Sequence, residues 1–344
     1  MALEQRVKQL ESARYESGIP VDEEEDELAD LRLNVGGMGK MGLESRIGEF
    51  GLAWLGNIVL FFGITFLVQY FQVSGYRVLS PAFGFAAVTG IFFLARYLKE
   101  SNPYMARIFN LNGYLLTFYV ALKLYFFNKD PLVTSKGIEI ALLLLVAGVY
   151  LFFAVKRKQM TLAGLSLLLI AISAVLSDQV HVMLPIAAVI SVAAVALLYR
   201  FSWVRIVYLG IFLVYAINLI WLLNNPIMEH EMKFVTDHHT GYLYMFLAAA
   251  VFSLIALMPE REEQYSIHGI LGTLIFNGLG FTFILGLFIL AFFKDNYTVL
   301  TGSIALYCLV YSFILKKRSH WKITPAIYAL FGFVALSVSF YGYY

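Results

Sequence analysis

From Glu49 onward, polar positions occur only as short interruptions between long apolar runs. Eleven runs read as helices. They are Glu49–Tyr70, Leu79–Leu98, Ala106–Phe127, Ser135–Val155, Thr161–Ser177 and Val182–Tyr199. Trp203–Leu223, Gly241–Met258, Ile267–Phe293, Tyr297–Leu315 and Ile323–Tyr343 follow. Each is close to the roughly 20 residues that a helix needs to cross a hydrocarbon core of about 30 Å. Barrel strands would alternate in polarity instead of running solidly apolar, and unpaired backbone in lipid is too costly. The pattern predicts an all-α fold, a polytopic transmembrane helix bundle of about 11 spans over residues 49–344.

Composition agrees with a bilayer as the surrounding partner. Hydrophobic residues make up 60% of the chain and charged residues 14%, too few charges to cover that surface in water. A net charge of +2 gives no reason to expect nucleic acid. The single cysteine, Cys308, excludes an intrachain disulfide and a cysteine metal cluster. No phosphate-binding glycine loop, serine-histidine-acid set or haem motif is present, so no cofactor is expected and an enzyme is not the favoured class. Met1 to Arg14 is charged and polar, which predicts no cleavable signal and a first span that serves as the insertion signal.

Lysine and arginine set the expected orientation, because cytoplasmic loops carry them in excess. With the N-terminus inside, the inner loops hold 13 of these residues and the outer loops 6. The inner set ends in the cluster Lys316, Lys317, Arg318 and Lys322, and the tail adds six more inside. The prediction is a cytoplasmic N-terminus, a C-terminus on the outer side, and a location in the bacterial inner membrane. Trp54, Trp203, Trp221 and Trp321 fall near span ends, where indole rings favour the headgroup level.

Residues 1–48 read as an acidic, largely disordered cytoplasmic tail. Leu3, Val7 and Leu10 keep helical spacing for one short helix. The run Asp22-Glu23-Glu24-Glu25-Asp26-Glu27 reads as a solvated segment, with docking to a basic protein partner as its functional alternative. Gly36, Gly37, Gly39 and Gly42 form a flexible hinge before the first span.

The strip Leu43–Phe127 resembles the start of a bacterial family of multi-pass membrane proteins known as domain of unknown function 2339. The residues that carry it are Glu44-Ser45-Arg46-Ile47-Gly48, Trp54-Leu55, Gly63 and Phe66. Gly75–Arg77 and Asn112-Gly113 continue it, while Arg77 ahead of Pro81 reverses the family's usual order. The resemblance implies a bacterial polytopic membrane architecture and supplies no catalytic residues.

Two segments match inside the chain. Asn112-Gly113 precedes Thr117-Phe118 in the third span, and Asn277-Gly278 precedes Thr282-Phe283 in the ninth at the same spacing. Trp54-Leu55-Gly56 and Tyr208-Leu209-Gly210 are likewise six spans apart. An even offset predicts a parallel six-span repeat, as in some transporters. Chance matching among apolar helices is the plainer alternative.

Polar groups in hydrocarbon are costly, which makes each a candidate site. The intramembrane set is Asn57, Asn112, Glu139, Asn218 and Asn277. Asparagine there commonly bonds a neighbouring helix. Glu139 is the best carboxylate for proton coupling, and it is placed to pair with Lys123 across a hairpin. In the loop Asn224–Thr240, His230, Asp237, His238 and His239 are the candidate metal ligands, with a hydrated loop as the alternative. The favoured function is a transporter or channel-like protein for a small solute. A structural or assembly component of an envelope complex stands second, and a membrane-embedded enzyme using the histidine loop third.

Overall fold

A computed structural model describes residues 43–76, 78–126, 131–236, 239–257, 267–294, 296–319 and 322–341, with side chains from residue 51 and excepting those of 239, 267 and 268. The acidic run, the glycine hinge, Arg77, Asp237, His238 and Trp321 lie outside the described residues. The described chain is all-helical, without a strand. Its helices are α1 Leu43–Val73, α2 Leu79–Leu98, α3 Pro103–Leu122, α4 Lys136–Lys156, α5 Met160–Ser177 and α6 Val180–Phe201. Then come α7 Val204–Leu222, α8 Tyr242–Ser253, α9 Ile267–Phe292, α10 Tyr297–Arg318 and α11 Thr324–Tyr341.

All eleven expected runs are helical. Among the described residues, nine helices are long and apolar enough to cross a membrane, which makes the chain a membrane protein. The other two are α3 and α8. α3 has 20 residues but carries Arg107, Asn110 and Asn112. α8 is a 12-residue helix that tightens into a 3-10 turn over Leu254–Leu257.

The boundaries have local causes. Asn102 caps α3 by accepting from the Met105 N–H at 3.3 Å, and Pro103 fills the first helical position, where no N–H is needed. The chain after Leu122 leaves the helix although Leu124-Tyr125-Phe126 is apolar, since Leu124 O turns to accept from Leu132 and Val133. The α4–α5, α5–α6 and α6–α7 turns are two or three residues long, and each holds a non-glycine residue at positive φ: Lys158, Asp178 and Ser202.

The chain divides into two compact units, Met1–Leu60 and Phe61–Tyr344. The described part of the first is the start of α1, where Leu52, Leu55 and Val59 are exposed. In the second, the remainder of α1 is tied to its neighbours by Ser80 Oγ donating to Val68 O at 2.8 Å and Lys123 Nζ donating to Gln69 Oε1 at 2.6 Å. α2 packs on α3, and α4 on α5. α5, α6 and α7 pack against one another, with α8 on α6, α9 on α7, and α11 along α10. The most buried helices are α5, α6 and α7, which form the centre of the core. Trp203 and Trp221 are buried there as well. Trp203 stacks on Phe201 with ring centroids 4.6 Å apart, and Trp221 lies parallel to Phe292 at 6.5 Å. They sit at helix ends as expected, but protein rather than headgroup surrounds them. Trp54 is exposed.

Candidate functional site

A well-formed hollow lies between α8, α9, α10 and α11. Its volume is about 280 Å³. Spacing of three and four residues builds its wall. On α10, Tyr307 and Cys308 face inward. On α11, Tyr328, Phe331 and Ala335 do the same, and on α8, Phe246, Ala249, Ala250 and Ser253. The rings interlock. Phe246 meets Tyr307 edge-on at 5.0 Å, Tyr307 stacks on Tyr311 at 5.8 Å, and Tyr311 meets Tyr328 edge-on at 4.8 Å. Among the described residues, none that lines the cavity is charged.

Asn277 of α9 is its polar centre. Tyr215 of α7 donates its hydroxyl to Asn277 Oδ1 at 2.7 Å, and Asn277 Nδ2 donates to Ala249 O of α8 at 3.2 Å. One side chain therefore joins three helices. Nearby, Tyr311 donates to Ser253 O at 2.8 Å, and Ser253 Oγ donates back to Ala249 O at 2.9 Å. In hydrocarbon each of these polar groups must find such a partner. Asn277 lines the cavity, and its amide NH₂ has two donors, one of which goes to Ala249 O.

Of the five intramembrane candidates only Asn277 lines this cavity. Asn112 is buried on α3, Asn57 sits on α1 within the first unit, and Asn218 donates back to Val214 O of its own helix at 2.8 Å. Glu139 is fully buried in the first turn of α4, and among the described residues neither carboxylate oxygen has a hydrogen-bond partner. The expected bond to Lys123 is not formed. Lys123 lies beyond the end of α3 and is held by Gln69 and the face of Tyr119. Reading the hairpin as a continuous antiparallel pair overlooked how early α3 stops.

His230 bonds Asp178 Oδ2 through Nε2 at 2.8 Å, while Asn225 Nδ2 donates to Asp178 Oδ1 at 2.7 Å and Val175 O at 3.0 Å. Lys136 Nζ lies 4.0 Å from the same carboxylate. Asp178 thus pins the loop after α7 to the end of α5. Among the described residues, no three histidine, cysteine or acidic side chains come together as a metal set. Asp237 and His238 lie outside the described residues, and the side chain of His239 does too.

Sequence reasoning passed over the aromatic wall and Tyr215. The signals were the i, i+4 pair Tyr307 and Tyr311 and the i, i+3 pair Tyr328 and Phe331, each on one helix face.

These features define an α-helical membrane protein with an aromatic, uncharged cavity in its second half. No family model, curated protein or solved structure matches the chain.

Proposed function

We propose that this chain is a transporter or channel-like protein of the bacterial inner membrane, and that the α8–α11 cavity holds its small solute. The observation that carries this reading is a hollow of about 280 Å³ walled by four helices, with Asn277 in its lining. Sites for small molecules are concave, mostly apolar and oriented by a few polar groups. The lysine and arginine bias supports a cytoplasmic N-terminus, with all eleven helices crossing and the C-terminus outside. The resemblance to domain of unknown function 2339 supports a bacterial origin.

Cys308 lines the cavity and is the chain's only cysteine, so it reports on access without engineering. A transport site must open to water on at least one side during its cycle. In proteoliposomes, a charged, membrane-impermeant thiol reagent supplied outside or trapped inside is expected to modify Cys308 from at least one face. Absence of modification from both faces, with full modification after unfolding, would overturn the transport reading.

A further inference from the structure

The mouth of the cavity is where its lining is exposed, on α9 and α11. α11 packs along α10 and touches α9 at few points. On both α9 and α11, some cavity-lining residues are exposed. Thr282 and Gly286 of α9 are exposed, as are Val334 at 53% and Val338 at 43% on α11. These four lie within helices that are long and apolar enough to span a membrane. A bilayer crossed by these helices would put hydrocarbon beside the mouth. Thr282 does not make it polar, because its hydroxyl donates to Gly278 O at 2.7 Å.

We propose that the cavity is loaded sideways from the bilayer, through the α9–α11 gap, by a neutral hydrophobic molecule bearing one acceptor oxygen. This rests on the reading of the cavity as a solute site and names the class of solute. Three observations select it. A charged solute would lose its hydration against a wall with no counter-charge. The volume of about 280 Å³ is roughly twice the ~150 Å³ of an apolar cavity that stays dry and binds benzene, so a ring with a short chain fits. Asn277 lines the cavity and carries one donor beyond the one given to Ala249, which suits a single acceptor. A free small molecule and the ester-bearing chain of a membrane lipid share this chemistry.

The test follows alkylation of Cys308 by N-ethylmaleimide in the full chain, in lipid nanodiscs. 4-Butylacetophenone is expected to slow alkylation at least fivefold. At equal membrane concentration 4-butylbenzoate, an anion, is expected to leave the rate unchanged. Asn277→Leu should remove most of the ketone's protection while leaving that given by 4-butyltoluene. Val334→Trp, at an exposed position where a larger side chain is tolerated, should slow both alkylation and protection by plugging the mouth. Protection that arises on transfer from micelles to nanodiscs without a probe assigns the site to the lipid's own chain. Protection only on addition of the ketone assigns it to a free molecule. Equal protection by the anion, or none by the ketone, overturns the proposal. Modification by the impermeant reagent alongside such a failure would leave the transport reading intact.

Discussion

Asn112-Gly113 on α3 and Asn277-Gly278 on α9 begin from the same local structure and end in different surroundings. In both, the threonine five residues after the asparagine donates to the glycine carbonyl at 2.7 Å. In both, a phenylalanine from a neighbouring helix occupies the space a Cβ would take. A Cβ on Gly113 would stand 2.8 Å from Phe92 of α2, and one on Gly278 would collide with the ring of Phe331 of α11. The difference lies behind the ring. Phe92 is backed by Tyr114, which meets Tyr150 of α4 at 4.8 Å. Phe331 borders the cavity. A shared sequence pattern fixes a back-bond and a close approach, and what the neighbouring helices place opposite it decides between solid packing and a hollow.

The largest expected effect comes from adding side chains at the two glycines. Gly113→Val should destabilise by about 1–3 kcal/mol, since the Phe92 ring it would push is backed by Tyr114. Gly278→Val should cost less than about 1.5 kcal/mol, because Phe331 can swing into the cavity in a near volume-conserving repacking. Unfolding in mixed micelles by titrated denaturing detergent measures both, and equal losses would break the contrast.

Next comes the asparagine. Asn277→Ala strands the buried Tyr215 hydroxyl, a loss of about 1–3 kcal/mol. Adding Tyr215→Phe should restore part of it. The coupling energy from the double-mutant cycle is expected near 0.6 kcal/mol and below about 1.7, the range of interhelical bonds in membranes. A coupling of zero would mean that Tyr215 and Asn277 do not act as a pair.

The smallest effect sharpens the likeness. Thr117→Val and Thr282→Val each remove a bond to their own helix, which other backbone bonds already hold. Each should change stability by less than about 0.5 kcal/mol, as substitutions away from packed or networked features do. A large, unequal pair of values would show that the two segments differ locally as well as in their surroundings.

The contrast also marks what the sequence could disclose. Every helix was legible, because apolar runs bounded by charged turns leave little choice, and α2 begins and ends at the residues expected. α3 was expected over Ala106–Phe127 and runs from Pro103 to Leu122: the Asn102-Pro103 start signal went unused, and apolar composition continuing through Phe126 hid the early end. Asn277 stood out as a polar residue in hydrocarbon. Its partners did not, because Tyr215 is 62 residues away and only tertiary packing brings the hydroxyl to the amide. The cavity was hidden for the same reason. Tyr307, Tyr328 and Phe246 look like ordinary apolar-face residues until three helices place them around one space.

The short turns around Lys158, Asp178 and Ser202 bear on how such a space can change. Two or three residues leave no slack for one helix to slide past the next, so α4 through α7 behave as a chassis. Asn277 is bolted to that chassis through Tyr215. One wall of the cavity is thereby fixed to the chassis, while α10 reaches the same cavity through the bond from Tyr311 to Ser253 O.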